Sequence, residues 1–251
     1  MLRLLEKADG AVYVQDPETA DISEGGYIVK TLRNGQELDQ AYRLRHRIFC
    51  EELGWVQPDE SGLEVDTYDH DEKTVCFGVF DGEGSLKACL RLIPTIRPTM
   101  LEDIFSFLIG PGHEYRKDAH TAEISRLCVA PEARKGSVQG NFGAHHVSML
   151  LYKGVYNWCL QNGVRSLYLV VDEKVHRLLK AGGFPCELLG EGREMPDGVK
   201  AVAALMDWRE FEFRNFVKRP RLLQWFSQTQ SDLYPAQPLR HGRGLQHQAF
   251  S

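Results

Sequence analysis

The run Thr74-Val-Cys-Phe-Gly-Val-Phe80, Asp81-Gly-Glu-Gly84, Ser85, Leu86-Lys-Ala-Cys-Leu-Arg-Leu-Ile93 decides the fold. Thr74 to Phe80 and Leu86 to Ile93 alternate apolar and polar residues, the period of a strand with one buried face. The Asp81-Gly-Glu-Gly84 step between them is hairpin turn chemistry, and Pro94 and Pro98 close the unit. An antiparallel pair is therefore predicted at the centre of the first half. Upstream, Gly26 to Leu32 reads as a short strand. Glu37 to Leu53 reads as an amphipathic helix through Leu38, Ala41, Tyr42, Ile48 and Phe49. Downstream, the pattern predicts a short helix over Met100 to Leu108 and a strand over Ala122 to Val129. Val147, Leu150, Leu151, Val155 and Trp158 mark a long helix that ends near Asn162-Gly163. A strand from Ser166 to Val171, a helix from Lys174 to Lys180 and a Gly182-Gly183 stop come next. Strands near Cys186 to Leu189 and over Lys200 to Met206 complete the series. Strands first, then β-α-β-α-β-β, gives an α/β chain with a mixed, partly antiparallel sheet and helices on both faces. One domain is expected over residues 1–214. Residues 215–251 carry Pro220, Pro235 and Pro238 with little periodicity and read as a basic, weakly ordered tail.

Composition bounds the function. With 251 residues, 43% hydrophobic, the chain can bury one sizeable core. A net charge of −5 argues against a general nucleic-acid binder. The N-terminus is charged too early for a signal peptide, and no apolar run approaches the ~20 residues that span a bilayer. Cys50, Cys76, Cys89, Cys128, Cys159 and Cys186 are widely spread, with no Cys-x-x-Cys pair. Neither a zinc site nor a disulfide framework is indicated, and a reduced, cytoplasmic setting is expected.

Arg45 is out of place. It falls inside the apolar stripe of its helix, one turn after Ala41 and Tyr42 and one turn before Ile48 and Phe49. A guanidinium cannot shed its charge, so a core-facing one needs an anion. Glu64, Asp66 and Asp69 follow shortly and could supply it. The alternative is an arginine whose stem packs while its head reaches water. Arg91 and Arg126 also interrupt apolar strands, and Glu123 adds a fourth acid. Two readings of these charges stand side by side: a structural ion-pair network, or a polar pocket for a zwitterionic substrate. Phe49 and Trp55 flank the cluster, either as core or as a flat wall for a sulfonium or adenine group. Val129 to Gly136 reads as a strand end followed by a basic, glycine-bearing turn, part of the glycine-rich Arg134 to Gly143 loop, and then a helix; the turn either cradles a pyrophosphate or phosphopantetheine or is an ordinary loop.

Taken in order, Leu44-Arg-His-Arg-Ile-Phe49, Leu53-Gly-Trp55, Glu64-x-Asp66-x-x-Asp69, Leu90-Arg-Leu-Ile-Pro-Thr95, Arg97-Pro-Thr-Met-Leu101 with Phe105, and Glu123-Ile-Ser-Arg126 resemble the acyl-homoserine-lactone synthases, the LuxI-type autoinducer synthases. The match spans roughly Gly26 to Val129; the C-terminal half agrees only in element order. The resemblance implies a GCN5-related N-acyltransferase fold, a single-domain, mostly antiparallel sheet flanked by helices. It implies acylation of the amine of S-adenosylmethionine (SAM) from an acyl carrier protein or acyl-CoA, then lactone closure with release of methylthioadenosine. No tightly bound cofactor is implied. Carried over, Arg45, Phe49, Trp55, Glu64, Asp66, Asp69, Arg91 and Phe105 would bind substrate. Glu123, Ser125 and Arg126 would form the catalytic group. An acyl-chain tunnel lined by residues such as Met149, Leu169 and Val171 is expected. Long-chain N-acyl amino acid synthases and exosortase-associated acyltransferases share much of the pattern with other amines, so the acceptor stays open at this level.

One conformational expectation follows from strand parity. Glu123 and Arg126 face opposite sides of a regular strand, so both can reach one cleft only if a bulge lies between them.

Overall fold

The computed structural model describes residues 22–140 and 143–228. The chain begins with strands β1 (Ile22–Glu24) and β2 (Tyr27–Thr31), then helix α1 (Gly35–Arg45). Asn34 caps α1, its side chain accepting the Glu37 N–H. The helix expected to continue to Leu53 instead widens into a π-helical stretch, His46–Glu52. The Leu53 N–H bonds the Ile48 carbonyl five residues back at 2.9 Å.

After a loop and a short 3₁₀ turn at Thr67–His70 come β3 (Val75–Phe80) and β4 (Leu86–Pro94), the hairpin read from the sequence. Its turn is held by Asp81, whose Oδ1 accepts the N–H groups of Glu83 and Ser85. Helix α2 is short (Met100–Asp103), and the rest of its expected span is a separate 3₁₀ turn, Ser106–Leu108. Strand β5 (Thr121–Val129) follows. The Arg134 to Gly143 turn is a surprise. It does not run straight into a helix but forms a two-stranded hairpin, β6 (Ser137–Gly140) and β7 (Gly143–His146). Its arginine is engaged: Arg134 makes two bonds to Glu52, and just before it Glu132 accepts Arg47 of the π-helical stretch. Residues 141–142 of that turn lie outside the described residues.

Helix α3 (Val147–Asn162), strand β8 (Ser166–Asp172), helix α4 (Glu173–Ala181) and strands β9 (Cys186–Leu188) and β11 (Lys200–Asp207) complete the predicted series, and a two-residue strand β10 (Arg193–Glu194), not read from the sequence, lies between the last two. The main sheet runs β1-β2-β3-β4-β5-β8-β11-β10, with β9 also on β11. Every pairing is antiparallel except β5 with β8. That parallel step needs a crossover, which α3 provides. The β5–β8 pairing stops at Ile124↔Leu169, although both strands continue. Beyond that register the sheet opens between them.

Helix α3 covers the face that carries Phe77, whose ring meets Trp158 edge-on at 6.0 Å. Gly154 lets it approach: a Cβ there would stand 2.6 Å from Val29 Cγ1. Helix α1 covers the opposite face, the one presenting Arg91.

The domain boundary moves. Residues 208–218 form α5 (Trp208–Lys218) and residues 220–227 form α6 (Pro220–Ser227), so the segment 215–227 is helical and packed, not a weakly ordered tail. Pro220 stands in the first turn of α6, where its missing N–H costs nothing. Trp225 and Phe226 are buried: Phe226 packs against Tyr156, Phe184 and Phe211, and Trp225 stacks on His145 at 4.0 Å. The Trp225 indole N–H donates to both carboxylate oxygens of Glu24 at 2.7 and 2.8 Å, and Lys153 reaches the same carboxylate at 3.1 Å. Strand β1 is thus tied to α6. Trp225→Ala is expected to destabilise by about 3–5 kcal/mol, read as a lower urea midpoint; an unchanged midpoint would show that α6 is an appendage. Residues 229–251, the rest of the expected tail, lie outside the described residues. Among the described residues no helix is long and apolar enough to cross a membrane.

Candidate active site

Arg45 reaches no water. It is buried, and its head makes three bonds: Nε to Glu64 Oε2 at 2.5 Å, Nη1 and Nη2 to the two Asp69 oxygens at 2.8 and 2.9 Å. Arg91, buried on β4, grips Asp66 through Nη1 and Nη2 at 2.5 and 2.9 Å and touches Asp69 at 2.9 Å. Arg126 bonds Glu64 through Nε at 2.9 Å and Asp66 through Nη2 at 2.9 Å. The six charges close into a ring. Glu64 bridges Arg45 and Arg126, Asp66 bridges Arg126 and Arg91, and Asp69 bridges Arg91 and Arg45. Charge balances within it, and each guanidinium meets two carboxylates, the arrangement that makes burial of charge tolerable.

Local structure sets the acids. Asp66 and Asp69 form a reciprocal capping box on the 3₁₀ turn. Asp66 Oδ1 accepts the Tyr68 N–H at 2.9 Å, and Asp69 Oδ2 accepts the Asp66 N–H at 2.9 Å. The Glu64 N–H bonds the Tyr42 carbonyl of α1 at 3.1 Å. Met100 Sδ lies 3.3 Å from Arg91 Nη2 and 3.2 Å from Arg126 Nη1. Electrostatics follow. For Arg45, burial opposes the charge, but the hydrogen bonds it donates to Asp69 and Glu64, with the charges of those carboxylates, outweigh it and hold the pKa above the usual arginine value. Burial likewise works against the Asp69 carboxylate, and Arg45 and Arg91 overcome it, holding Asp69 below the usual carboxylate range.

Of the three acids that the sequence offered to Arg45, two meet it. Arg45 binds Glu64 and Asp69, while Asp66 belongs to Arg91 and Arg126. The ring also has an inside and an outside. Arg45, Glu64, Asp69 and Arg91 side chains are 1–3% exposed, whereas Arg126 and Asp66 reach 14% and 21%.

Arg126 meets Asp66 because the strand is bulged. Cys89 faces Cys128 and Arg91 faces Ser125, so β5 spends one residue more than β4 between those registers. Arg126 has φ +54°, the left-handed region that side chains rarely adopt, and it is the one non-glycine residue there among those described. The twist brings Arg126 to the face of Ser125 and Glu123. Ser125 Oγ accepts Arg91 Nε at 3.0 Å and so helps to position the ring.

Glu123 sits beside the ring and outside it. Its Oε2 accepts the Leu101 N–H of α2 at 2.8 Å. It is 2% exposed. Burial pushes its pKa up to about 7, against the Leu101 N–H, the Thr99 hydroxyl and the charges of Arg91 and Arg126. It is therefore a carboxyl that can hold or release a proton near neutrality.

On the outer side, Phe49 from the π-helical stretch stacks on Trp55 at 6.1 Å, and the Arg126 guanidinium lies 5.6 Å from the Phe49 ring. Trp55 is 48% exposed and offers a flat indole face next to the open edge of the ring. Phe105 does not join that wall; it packs with Leu101, Leu108 and Tyr168 in a second apolar cluster on the Glu123 side. Leu169 and Val171 lie at the parting of β5 and β8, and Met149 packs on the main core from α3. Sequence reasoning passed over Thr99, Met100, Leu101 and Tyr115 as participants. The first three stood in a quoted motif, but a backbone N–H in the first turn of a short helix and a thioether carry no pattern of their own.

A profile of the autoinducer synthase family matches residues 29–216. The chain belongs to the autoinducer synthase family. The match includes all six members of the ring and Glu123. The synthase is 33% identical over 181 residues to an acyl-homoserine-lactone synthase of Rhizobium radiobacter, covering 70% of this chain and 81% of that one. It is 28% identical over 178 residues to a probable acyl-homoserine-lactone synthase of Sinorhizobium fredii, covering 70% and 83%. Its fold is similar to that of BjaI, a CoA-dependent acyl-homoserine lactone synthase solved with SAM and isopentyl-CoA. The TM-score is 0.60 at 27% identity, covering 71% of this chain and 80% of that one. The synthase is thus an acyltransferase with the mixed, mostly antiparallel fold expected from its sequence.

Proposed function

We propose that the synthase acylates the amine of SAM from an acyl thioester and closes the product to an N-acyl-homoserine lactone, releasing methylthioadenosine. The carrying observation is the pairing of a buried carboxyl poised near pH 7, Glu123, with a charge ring open only at Arg126 and Asp66. The Trp55 face beside that opening suits a sulfonium or an adenine. The Asp66 carboxylate, already doubly bound, tolerates a third, cationic partner and orients the ammonium group. Arg45, Asp69 and Arg91 then act as supports that hold Asp66 and Arg126 still.

In the first step the substrate nitrogen must lose a proton, and Glu123 accepts it directly or through a water. The amine attacks the thioester carbonyl, a C–N bond forms and the C–S bond breaks. The bulged segment at Arg126, with its extra residue outside the ladder, offers a donor to the developing oxyanion. In the second step a carboxylate oxygen attacks the carbon next to the sulfonium and expels methylthioadenosine. The gap between β5 and β8, with Leu169 and Val171 at its margin, receives the acyl chain. An acyl carrier protein or acyl-CoA serves as donor, and because both are cytoplasmic and the six cysteines are free thiols, we place the enzyme in the cytoplasm.

The test is a product assay. Purified protein is given SAM or plain methionine, each with acyl-CoA and with an acyl carrier protein, and products are read by mass spectrometry. Lactone and methylthioadenosine in equal amounts are expected from SAM alone. Acyl-methionine without lactone would overturn the reading in favour of an N-acyl amino acid synthase.

A further inference from the structure

Glu123 has hydroxyl company that the ring does not account for. Besides the Leu101 N–H, its carboxyl feels the side chain of Thr99, the residue that caps α2 two positions before Leu101, which favours the ionised form. Thr99 Oγ in turn lies 2.6 Å from the Tyr115 hydroxyl. Thr99 is fully buried and Tyr115 half-buried, so the three groups form a file running outward from the carboxyl. The outer member is fixed. The Tyr115 ring stacks on Tyr168 at 4.9 Å, and the Tyr168 hydroxyl accepts the N–H of the neighbouring Arg116 at 2.9 Å. Tyr168 is also the β8 partner of Glu123 across the parallel pair. Glu123 and Tyr115 are thus referenced to the same buried ring.

The chemistry needs such a file. Acylating an ammonium group with a thioester removes two protons from nitrogen; the departing thiolate takes one and the other must reach solvent. A base that receives it inside the protein has to discharge before the next turnover. The charged groups facing Glu123 are Arg91 from β4 and Arg126 from β5, neither of which can accept a proton. Tyr68 also faces it, and Glu102 and Tyr168 face Tyr115.

We propose that Thr99 and Tyr115 form a hydroxyl relay that moves the proton from Glu123 to solvent after each acyl transfer. The proton on the Glu123 carboxyl passes to Thr99 Oγ, the Thr99 hydroxyl proton passes to Tyr115 Oη, and the Tyr115 proton passes to water. Rotation of the two hydroxyls resets the file with Glu123 ionised. The proposal rests on Glu123 as the base of the acyl-transfer step. Thr99 and Tyr115 act through it as positioning residues.

Tyr115→Phe removes the outer hydroxyl and keeps the ring on Tyr168. Thiol release is measured with SAM and the donor that supports turnover. The expected result is a kcat roughly tenfold lower with KM for both substrates little changed. The solvent isotope effect on kcat should grow, and imidazole should restore more of the rate in the variant than in the wild type. Thr99→Val should behave alike, and Thr99→Ser should regain activity. Wild-type kcat in Tyr115→Phe, or a loss that neither imidazole nor the serine variant relieves, overturns the relay. Glu123→Gln in the same assay separates the two readings. If that variant is slow while Tyr115→Phe is normal, the relay alone fails; if that variant is itself normal, the base assignment fails and the relay with it.

Discussion

Glu123→Gln is expected to lower kcat for acyl transfer by roughly 10²–10⁴-fold while making the protein more stable above neutral pH. The two effects share one cause. A glutamine fills the same volume, and its carbonyl can still accept the Leu101 N–H, but it cannot take a proton from the amine. The carboxyl it replaces sits in a site that disfavours its charge. Its pKa is raised from 4.5 to about 7 in the folded protein, so the folded state binds that proton more tightly than the unfolded state. The stability linked to the proton is fully present below about pH 4.5 and is lost as pH rises through about 7. A move of this size corresponds to about 3 kcal/mol. Wild type should therefore weaken between those limits and Glu123→Gln should not, with the two melting together at acid pH and apart at pH 8. Parallel melting curves across the range would mean that Glu123 is not strained, and a wild-type kcat would remove it from the mechanism.

How much of this was legible in the sequence depends on whether the signal was periodic. The β3–β4 hairpin, α3 and the order of the later elements follow from alternation, glycine stops and turn chemistry. Arg45 was legible as a charge on an apolar stripe, and its need for an anion followed from its chemistry. Which acid it meets was not. Asp66 and Asp69 are three residues apart on a 3₁₀ turn, and their capping box aims one at Arg91 and Arg126 and the other at Arg45 and Arg91. The bulge at Arg126 was legible through parity, since Glu123 and Arg126 could not otherwise share a face. Helix α6 escaped because Pro220 reads as a breaker when it can equally open a helix, and because Trp225 is buried through a partner, Glu24, some two hundred residues away. The π-helical widening at His46–Glu52 escaped because its apolar residues fit a 3.6-residue period nearly as well. Thr99 and Tyr115 are single polar residues in irregular chain, where no period exists to mark them.

The ring makes a second prediction of large effect. Arg45→Met should cost about 3–5 kcal/mol of stability, because it takes from Glu64 and Asp69 one of the two arginines that each holds in a site closed to water. Removing the arginine does not free the acids to ionise cheaply elsewhere: Asp69 keeps only Arg91, and Glu64 only Arg126. Arg45→Lys keeps the charge but not the fork that spans both Asp69 oxygens and Glu64, so it should lose more than tenfold in kcat/KM for the amine substrate, about 1.4 kcal/mol. A head that merely reached water would have tolerated lysine without loss. Coupling then tells which acid Arg45 holds. Asp69→Asn combined with Arg45→Met should cost less than the two single changes summed, by about 0.5–3 kcal/mol, since each removes a member of the same contact. Asp66→Asn, which breaks bonds to Arg91 and Arg126, should combine with Arg45→Met far more nearly additively. Strong coupling to Asp66 with none to Asp69 would require the ring to be wired differently from the geometry described. The pH dependence should agree in sign. The Asp69 carboxyl is held below its ordinary range, so its contribution is present above about pH 4 and lost as pH falls further. Wild type should consequently lose stability on acidification more steeply than the Arg45→Met, Asp69→Asn pair. Equal slopes would place the anchor of Arg45 elsewhere.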